Sequence, residues 1–123
     1  MIKSIILVGL GGALGSILRY VVGVGIKQLV ATSFPIATFI INIIGCLIIG
    51  LLYGISEKNN LGNSDLNYLL IIGFCGGFTT FSTFANENFN LIQQQNFITP
   101  LFYISSSIII GILAVRLGYK III

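Results

Sequence analysis

Four long, charge-poor hydrophobic runs dominate this chain, covering about Ile5 to Val30, Ile36 to Ser56, Leu66 to Asn88 and Phe97 to Ile122. Each reaches the roughly 20 residues that a helix needs to cross a bilayer, so the pattern predicts four membrane spans. The polar intervals between them are short: Ala31 to Pro35, Glu57 to Asp65, and Asn90 to Asn96. They leave no room for a soluble catalytic domain. Pro35 stands just before the second run, where the missing N–H of a first-turn proline costs nothing.

The interruptions inside the runs carry the chemistry. The first holds Gly9, Gly11, Gly12 and Gly15, and the four-residue spacing of Gly11 and Gly15 lets two membrane helices approach closely. The same glycines resemble a dinucleotide-binding fingerprint, but that motif needs a preceding strand and a soluble βαβ unit, which this hydropathy excludes. Arg19 interrupts the first helix, where an arginine is costly unless it snorkels beside Tyr20 or meets a partner. It is a candidate for an anion vestibule. In the second run Thr38 and Asn42 lie four residues apart and share a face. A carboxamide at that depth turns inward, either as a donor to a buried site or as a bond between helices. Gly45, Gly50 and Gly54 add close-packing positions to the same helix.

The third run contains GFCGGFTTFSTF, Gly73 to Phe84, which mixes glycines, hydroxyls and phenylalanines at membrane depth. Backbone groups in hydrocarbon must be satisfied internally, so such a stretch is tolerated only where protein or a watery cavity surrounds it. Gly76 and Gly77 permit unusual backbone angles, and Thr79, Thr80, Ser82 and Thr83 can satisfy freed backbone groups. A broken helix is therefore expected, with carbonyls able to hold a hard cation such as Na⁺ and half-helix N–H groups facing an anion. The alternative is a continuous helix with a small-residue packing face. Phe78, Phe81 and Phe84 recur every three residues, which puts them near one face of any loosely helical stretch. Their positive ring edges can attract a small anion without the grip of a full charge. Glu87 follows as the one acid in or near a span, at a pore mouth or interface, or as a proton relay. In the last run Tyr103, Ser107 and Gly111 step by four, with Ser105 and Ser106 alongside, as a polar track or as interhelical bonds.

Composition narrows the class. The chain has 123 residues, 56% of them hydrophobic, with six Lys or Arg and three Asp or Glu, far below the charge of soluble domains at about 25%. Its mean hydropathy is +1.07. The net charge of +3 comes from sparse, unclustered basic residues without a basic-aromatic groove, which argues against nucleic acid. Lys3, the apolar run after it and Ala13-Leu14-Gly15 have the outline of a signal peptide. Retention is expected instead, because the first run completes a four-helix unit. Cys46 and Cys75 both lie within spans, where free cysteine behaves as a small hydrophobe. With no histidine, any metal must be held by oxygens.

Taken together, GGALGSILRY (Gly11 to Tyr20), ATFIINIIG (Ala37 to Gly45) and GFCGGFTTFSTF resemble the CrcB/Fluc family of fluoride channels over nearly the whole chain. The resemblance implies an all-α membrane protein: a dimer of four-helix subunits in opposed orientations, with two fluoride pores around a central Na⁺. It implies that backbone carbonyls of Gly76 and Thr79 from each subunit hold the Na⁺. It makes Phe81 and Phe84 the pore aromatics and Asn42 a donor to the ion, with Thr38, Thr80, Ser82 and Thr83 lining or bracing the path. Tyr103 and Ser107 match the polar track, Arg19 favours anions at the vestibule, and Glu87 sits at its mouth. The implied physiology is passive export: HF enters as a neutral molecule, ionises inside, and F⁻ leaves down its gradient. No enzyme activity is expected.

The charges complicate that dimer. Lys3, Lys58, Arg116 and Lys120 fall towards one side and Lys27 towards the other, with Arg19 in between. That bias favours both termini inside, whereas opposed identical subunits need near balance. A homodimer is expected first, and a heterodimer with an oppositely oriented paralogue is the alternative. Two rival functions remain: a small proton-coupled multidrug exporter, which needs a buried acid that the first helix lacks, and a non-transporting assembly subunit. The second explains the glycine spacing but not the polar stretch with Asn42.

Overall fold

The computed structural model describes residues 1–123 and is helical throughout, without strands. Helix α1 spans Ile2–Leu29 and α2 spans Ile36–Lys58. A π-helical segment, Asn67–Cys75, leads into the single turn α3, Gly76–Phe78. Helix α4 covers Ser82–Gln93 and α5 covers Ile98–Ile122. Four stretches are long and apolar enough to cross a membrane, Ile2–Leu29, Ile36–Lys58, Asn67–Gln93 and Ile98–Ile122. They match the four hydrophobic runs, although the first begins three residues earlier and the third runs on to Gln93. Hydropathy marks the hydrocarbon crossing, whereas backbone hydrogen bonding continues into the polar interface, so helices outlast their apolar runs.

The bundle is assembled along glycine seams. α1 lies against the π-helical segment and α3, and α2 lies against α5. A Cβ added at Gly15 would stand 2.8 Å from the Phe78 nitrogen, and one at Gly50 would stand 2.9 Å from the carbonyl carbon of Val115. Both obstacles are backbone, which has no rotamer to swing away, so only glycine allows these approaches. Within a bilayer the gain is close dispersion contact, because lipid tails are as apolar as the helices. The interior is small: Tyr103, Cys75, Phe78 and Ile41 are its most enclosed side chains. Large apolar residues such as Ile5, Ile17, Ile108 and Ile112 point outward, as expected of helices solvated by hydrocarbon. The molecule is built as a multi-pass membrane protein.

The loops are fastened locally. Asn67 Nδ2 reaches Ser56 Oγ at 2.8 Å, the Leu61 carbonyl at 2.8 Å and the Gly62 carbonyl at 2.9 Å, gathering the Glu57 to Asp65 connection onto the third span. Asn96 Oδ1 accepts from the Thr99 N–H at 3.2 Å, satisfying a first-turn donor of α5. Helices α2 and α4 end on Asn60 (φ 53°) and Gln95 (φ 59°), both left-handed. In each case the following N–H bonds back into the helix, Leu61 to the Ser56 carbonyl and Asn96 to the Leu91 carbonyl, which is the Schellman arrangement. Glutamine gains nothing from a left-handed backbone, which costs roughly 1–2 kcal/mol for an L-residue. Gln95→Gly is therefore expected to stabilise the protein by about 0.5–1 kcal/mol, read as a higher midpoint of thermal unfolding in detergent.

Candidate functional site

Helical geometry stops at Phe78 and resumes at Ser82. Thr79 between them is extended, with φ −83° and ψ 161°, and its N–H and hydroxyl both bond back to the Cys75 carbonyl, at 3.0 and 2.9 Å. The next residue is held from across the bundle. Asn42 Oδ1 accepts the Thr80 N–H at 2.9 Å, and Asn42 Nδ2 donates to the Thr80 carbonyl at 3.0 Å. One carboxamide on α2 thus satisfies both backbone groups of a residue that no helix serves. The Thr80 hydroxyl accepts from the Thr83 N–H at 3.2 Å, capping α4, and lies 3.4 Å from Ser82 Oγ.

Two neighbouring carbonyls have no such provision. Neither Gly76 O nor Thr79 O accepts a hydrogen bond from any protein donor, because the N–H groups of Thr80 and Thr83 are engaged elsewhere. Gly76 lies on the surface, and a Cβ there would meet nothing within 4 Å. These are hard, neutral oxygens of the kind that suits Na⁺, so the residues fit the ion the sequence suggested. The carbonyl of Gly77 between them faces the other way and accepts from Arg19 Nε at 3.1 Å and Ser16 Oγ at 3.5 Å. Arg19 is half-buried and therefore does not simply snorkel to water.

Two cavities meet at Thr80. The first, about 400 Å³, is walled by Asn42, Gly76, Thr79, Phe81, Phe84 and Ser107 among others. The second, about 310 Å³, brings together Ser16, Arg19, Lys27, Thr38 and Thr83. Thr80 lines both. A third hollow of about 320 Å³ adjoins the second through Lys27 and reaches Glu87 and Phe34. Across the three hollows, Arg19 and Lys27, then Thr38, Thr80 and Thr83, and finally Phe81 and Phe84 are thus lining residues, with Thr80 and Lys27 shared between neighbouring hollows.

The phenylalanines divide. Phe81 is 77% exposed and sits 5.9 Å from Phe84 between ring centroids, tilted by 42°. Phe84 in turn meets Tyr103 edge-on at 4.9 Å. Phe78 does not join them: it is buried and stacks on Phe74 at 5.7 Å. The three-residue spacing put all three on one face, and the extended Thr79 removes Phe78 from it by breaking the helical register.

Glu87 is bonded on both oxygens, accepting from Thr38 Oγ1 and from the Tyr103 hydroxyl, each at 3.0 Å. The protons of Thr38 and Tyr103 are therefore committed to the carboxylate, and these two residues position Glu87. Of the expected polar track on α5, Ser107 lines the larger cavity, Tyr103 is fully buried, and Ser106 turns its hydroxyl to the Phe102 carbonyl of its own helix. Ser82 lines none of the three hollows. Sequence reasoning did not single out Ser16, or Lys27 as a wall of the second hollow. Both had a signal, since Ser16 precedes Arg19 by three residues and Lys27 follows it by eight, which keeps all three on one helical face. Cys46 and Cys75 also touch the larger cavity, through the same four-residue spacing from Asn42 and Thr79.

The chain matches the family model described as CrcB-like protein, Camphor Resistance (CrcB), over residues 6–119. It is 49% identical over 119 residues to a protein of Azobacteroides pseudotrichonymphae named Fluoride-specific ion channel FluC, covering 97% of this chain and 95% of that one. Proteins of the same name from Flavobacterium psychrophilum and Phocaeicola vulgatus are 47% and 44% identical, the first covering 94% of both chains and the second 94% and 95%.

Proposed function

Since this chain belongs to the CrcB-like family, we propose that it is a fluoride-selective channel through which F⁻ leaves the cell passively, limiting fluoride toxicity. The observation that carries the reading is the Asn42 clamp on Thr80. It frees a short interval of the third span from helix and sets an aromatic pair, a cationic entrance and two free carbonyls around one point in the membrane.

Each part has a task in that reading. Arg19 and Lys27 raise the local anion concentration at the entrance without closing on the ion, since the Arg19 guanidinium is already tied to the Gly77 carbonyl. The hydroxyls of Thr80 and Thr83 and the backbone N–H groups of Ser82 and Phe84 at the start of α4 replace water as F⁻ is stripped, the Thr83 N–H being spent on Thr80. Asn42 Nδ2 has two hydrogens and spends one on Thr80, leaving the other for the ion. The ring edges of Phe81 and Phe84 offer weak positive potential, and Ser107 lines the same space. Affinity stays moderate at every station, as conduction demands. Glu87, with Thr38 and Tyr103 bonded to its two oxygens, is held at the edge of the entrance in a hollow that Lys27 also lines.

Na⁺ in this scheme is structural and rests on the carbonyls of Gly76 and Thr79. Bound there, it would neutralise backbone oxygens that hydrocarbon cannot solvate. One chain brings two oxygens, too few to enclose a hard cation. A second copy in the opposite orientation brings two more, making a site of four carbonyl oxygens, a heterodimer with an inverted paralogue being the alternative.

The test is F⁻ efflux from KF-loaded liposomes holding the purified protein alone, with a K⁺ ionophore releasing the counter-charge and KCl vesicles as control. Fast F⁻ release without Cl⁻ release supports a self-sufficient selective channel. Absence of F⁻ release, with the protein shown to be folded and inserted, points to a missing partner chain or overturns the fluoride assignment. In the same assay Phe81→Ile, which keeps bulk but removes the ring edge at an exposed position, is expected to leave assembly unchanged and lower F⁻ efflux at least tenfold. Normal flux in that variant removes the aromatic part of the mechanism.

A further inference from the structure

The end of the bundle where α2 and α5 finish carries more positive charge than its acids neutralise. Two carboxylates there are already engaged: Asp65 pairs with Lys3, and Glu57 accepts the hydroxyl of Tyr119. Among the bases, Lys58 donates to the Ile122 carbonyl at 3.3 Å. Arg116 and Lys120 remain, both exposed and neither in a hydrogen bond nor an ion pair within the chain. They stand at i and i+4 on α5, so their side chains leave the same face about 5–6 Å apart at Cβ.

Their depth gives that pair a meaning. The 25 residues of α5 make a rod of about 37 Å against a hydrocarbon core of about 30 Å, so the last turn stands among the headgroups. Lys120 is level with them, and Arg116 lies roughly one turn beneath, a depth from which the long arginine stem can reach the headgroups. Below Arg116 on the same face run Ile109, Ile112 and Leu113, all more than half exposed. A basic pair at headgroup level above an apolar strip matches a phospholipid in outline and in charge.

We propose that Arg116 and Lys120 hold the phosphate of an anionic phospholipid, whose acyl chain lies along Ile109, Ile112 and Leu113. The guanidinium binds two phosphate oxygens in its planar fork, and the ammonium acts as a point charge on the third. A zwitterionic lipid brings its own cation next to its phosphate and gains less. With each base near an anionic surface worth about a factor of five in affinity, the two together give roughly a 25-fold preference for phosphatidylglycerol over phosphatidylcholine. The inference goes beyond the fluoride reading and does not depend on it, since its readout is lipid rather than ion.

The experiment titrates the full-length protein in neutral detergent with phosphatidylglycerol or phosphatidylcholine and counts retained lipid by native mass spectrometry. About one phosphatidylglycerol per chain is expected on the parent, falling at least tenfold in Arg116→Gln/Lys120→Gln. The Arg116→Lys variant, which keeps the charge, should retain most of it, and Lys58→Gln should retain all. Size-exclusion profiles of the same samples establish that the variants are folded. Equal retention of the two lipids by the parent, or unchanged phosphatidylglycerol on the folded double variant, overturns the proposal.

Discussion

Asn42→Ala is expected to cut F⁻ efflux by about a hundredfold while the protein still inserts and purifies. The carboxamide serves the N–H and the C=O of Thr80 at 2.9 and 3.0 Å, and alanine abandons both. An unsatisfied buried polar group costs about 1–3 kcal/mol, and two of them outweigh the few kcal/mol that separate an extended interval from a regular helix. The Thr79 to Phe81 interval then either rewinds, carrying Phe81 away from Phe84, or admits water to the freed groups. Either change lowers anion passage, since every 1.4 kcal/mol is a factor of ten. Asn42→Asp separates the two bonds, because the carboxylate still accepts the Thr80 N–H but cannot donate to its carbonyl and sets a negative charge in the path. It should conduct no better than the alanine variant. Efflux per reconstituted protein is the measurement, and parent-like flux in Asn42→Ala would mean that the clamp has no part in conduction.

Gly50→Val should abolish the folded protein rather than its selectivity. The added Cβ falls 2.9 Å from the Val115 carbonyl carbon and 3.0 Å from its Cα, and α2 against α5 is the most extensive helix pairing in the bundle. Overpacking a core usually costs about 1–3 kcal/mol when side chains can move. Here the obstacle is backbone, so the whole helix must retreat and the seam from Gly50 to Gly118 opens with it. A loss of that size or more consumes much of a typical stability of about 5–15 kcal/mol. Size-exclusion chromatography in mild detergent should show aggregate where the parent gives a single peak. Gly9→Val is the control, since nothing lies within 4 Å of a Cβ there and its effect should stay within about 0.5 kcal/mol. Equal behaviour of the two variants would overturn the close-approach argument.

Local spacing carried a good part of the site. Thr38 and Asn42, four residues apart, do share the inward face of α2, and the Gly11 and Gly15 pair does meet another helix, at Leu69, Phe74 and Phe78. These are properties of the 3.6-residue repeat, which a sequence displays directly. The same repeat misled where the backbone leaves it: Phe78, Phe81 and Phe84 read as one stripe, yet Thr79 at ψ 161° sends Phe78 to Phe74. What each polar group bonds was also out of reach. Asn42 lies 38 residues from Thr80, Thr38 lies 49 from Glu87, and Arg19 lies 58 from Gly77. No periodicity spans such distances, so the sequence offered Asn42 as a donor to an ion without revealing that one of its hydrogens is spent on a backbone.

The chain alone determined that this is a four-span helical membrane protein, because transferring runs of Ile, Leu, Val and Phe into hydrocarbon is a sum over residues and needs no knowledge of their neighbours. The family, too, was legible in contiguous motifs. Tertiary structure decided which hydroxyls are committed to Glu87, which carbonyls keep no donor, and how Lys27 comes to line the same hollow as Arg19. Hydrogen bonds require atoms within about 3 Å and correctly aimed, and only the packing of α1, α2 and α5 around the third span sets those positions.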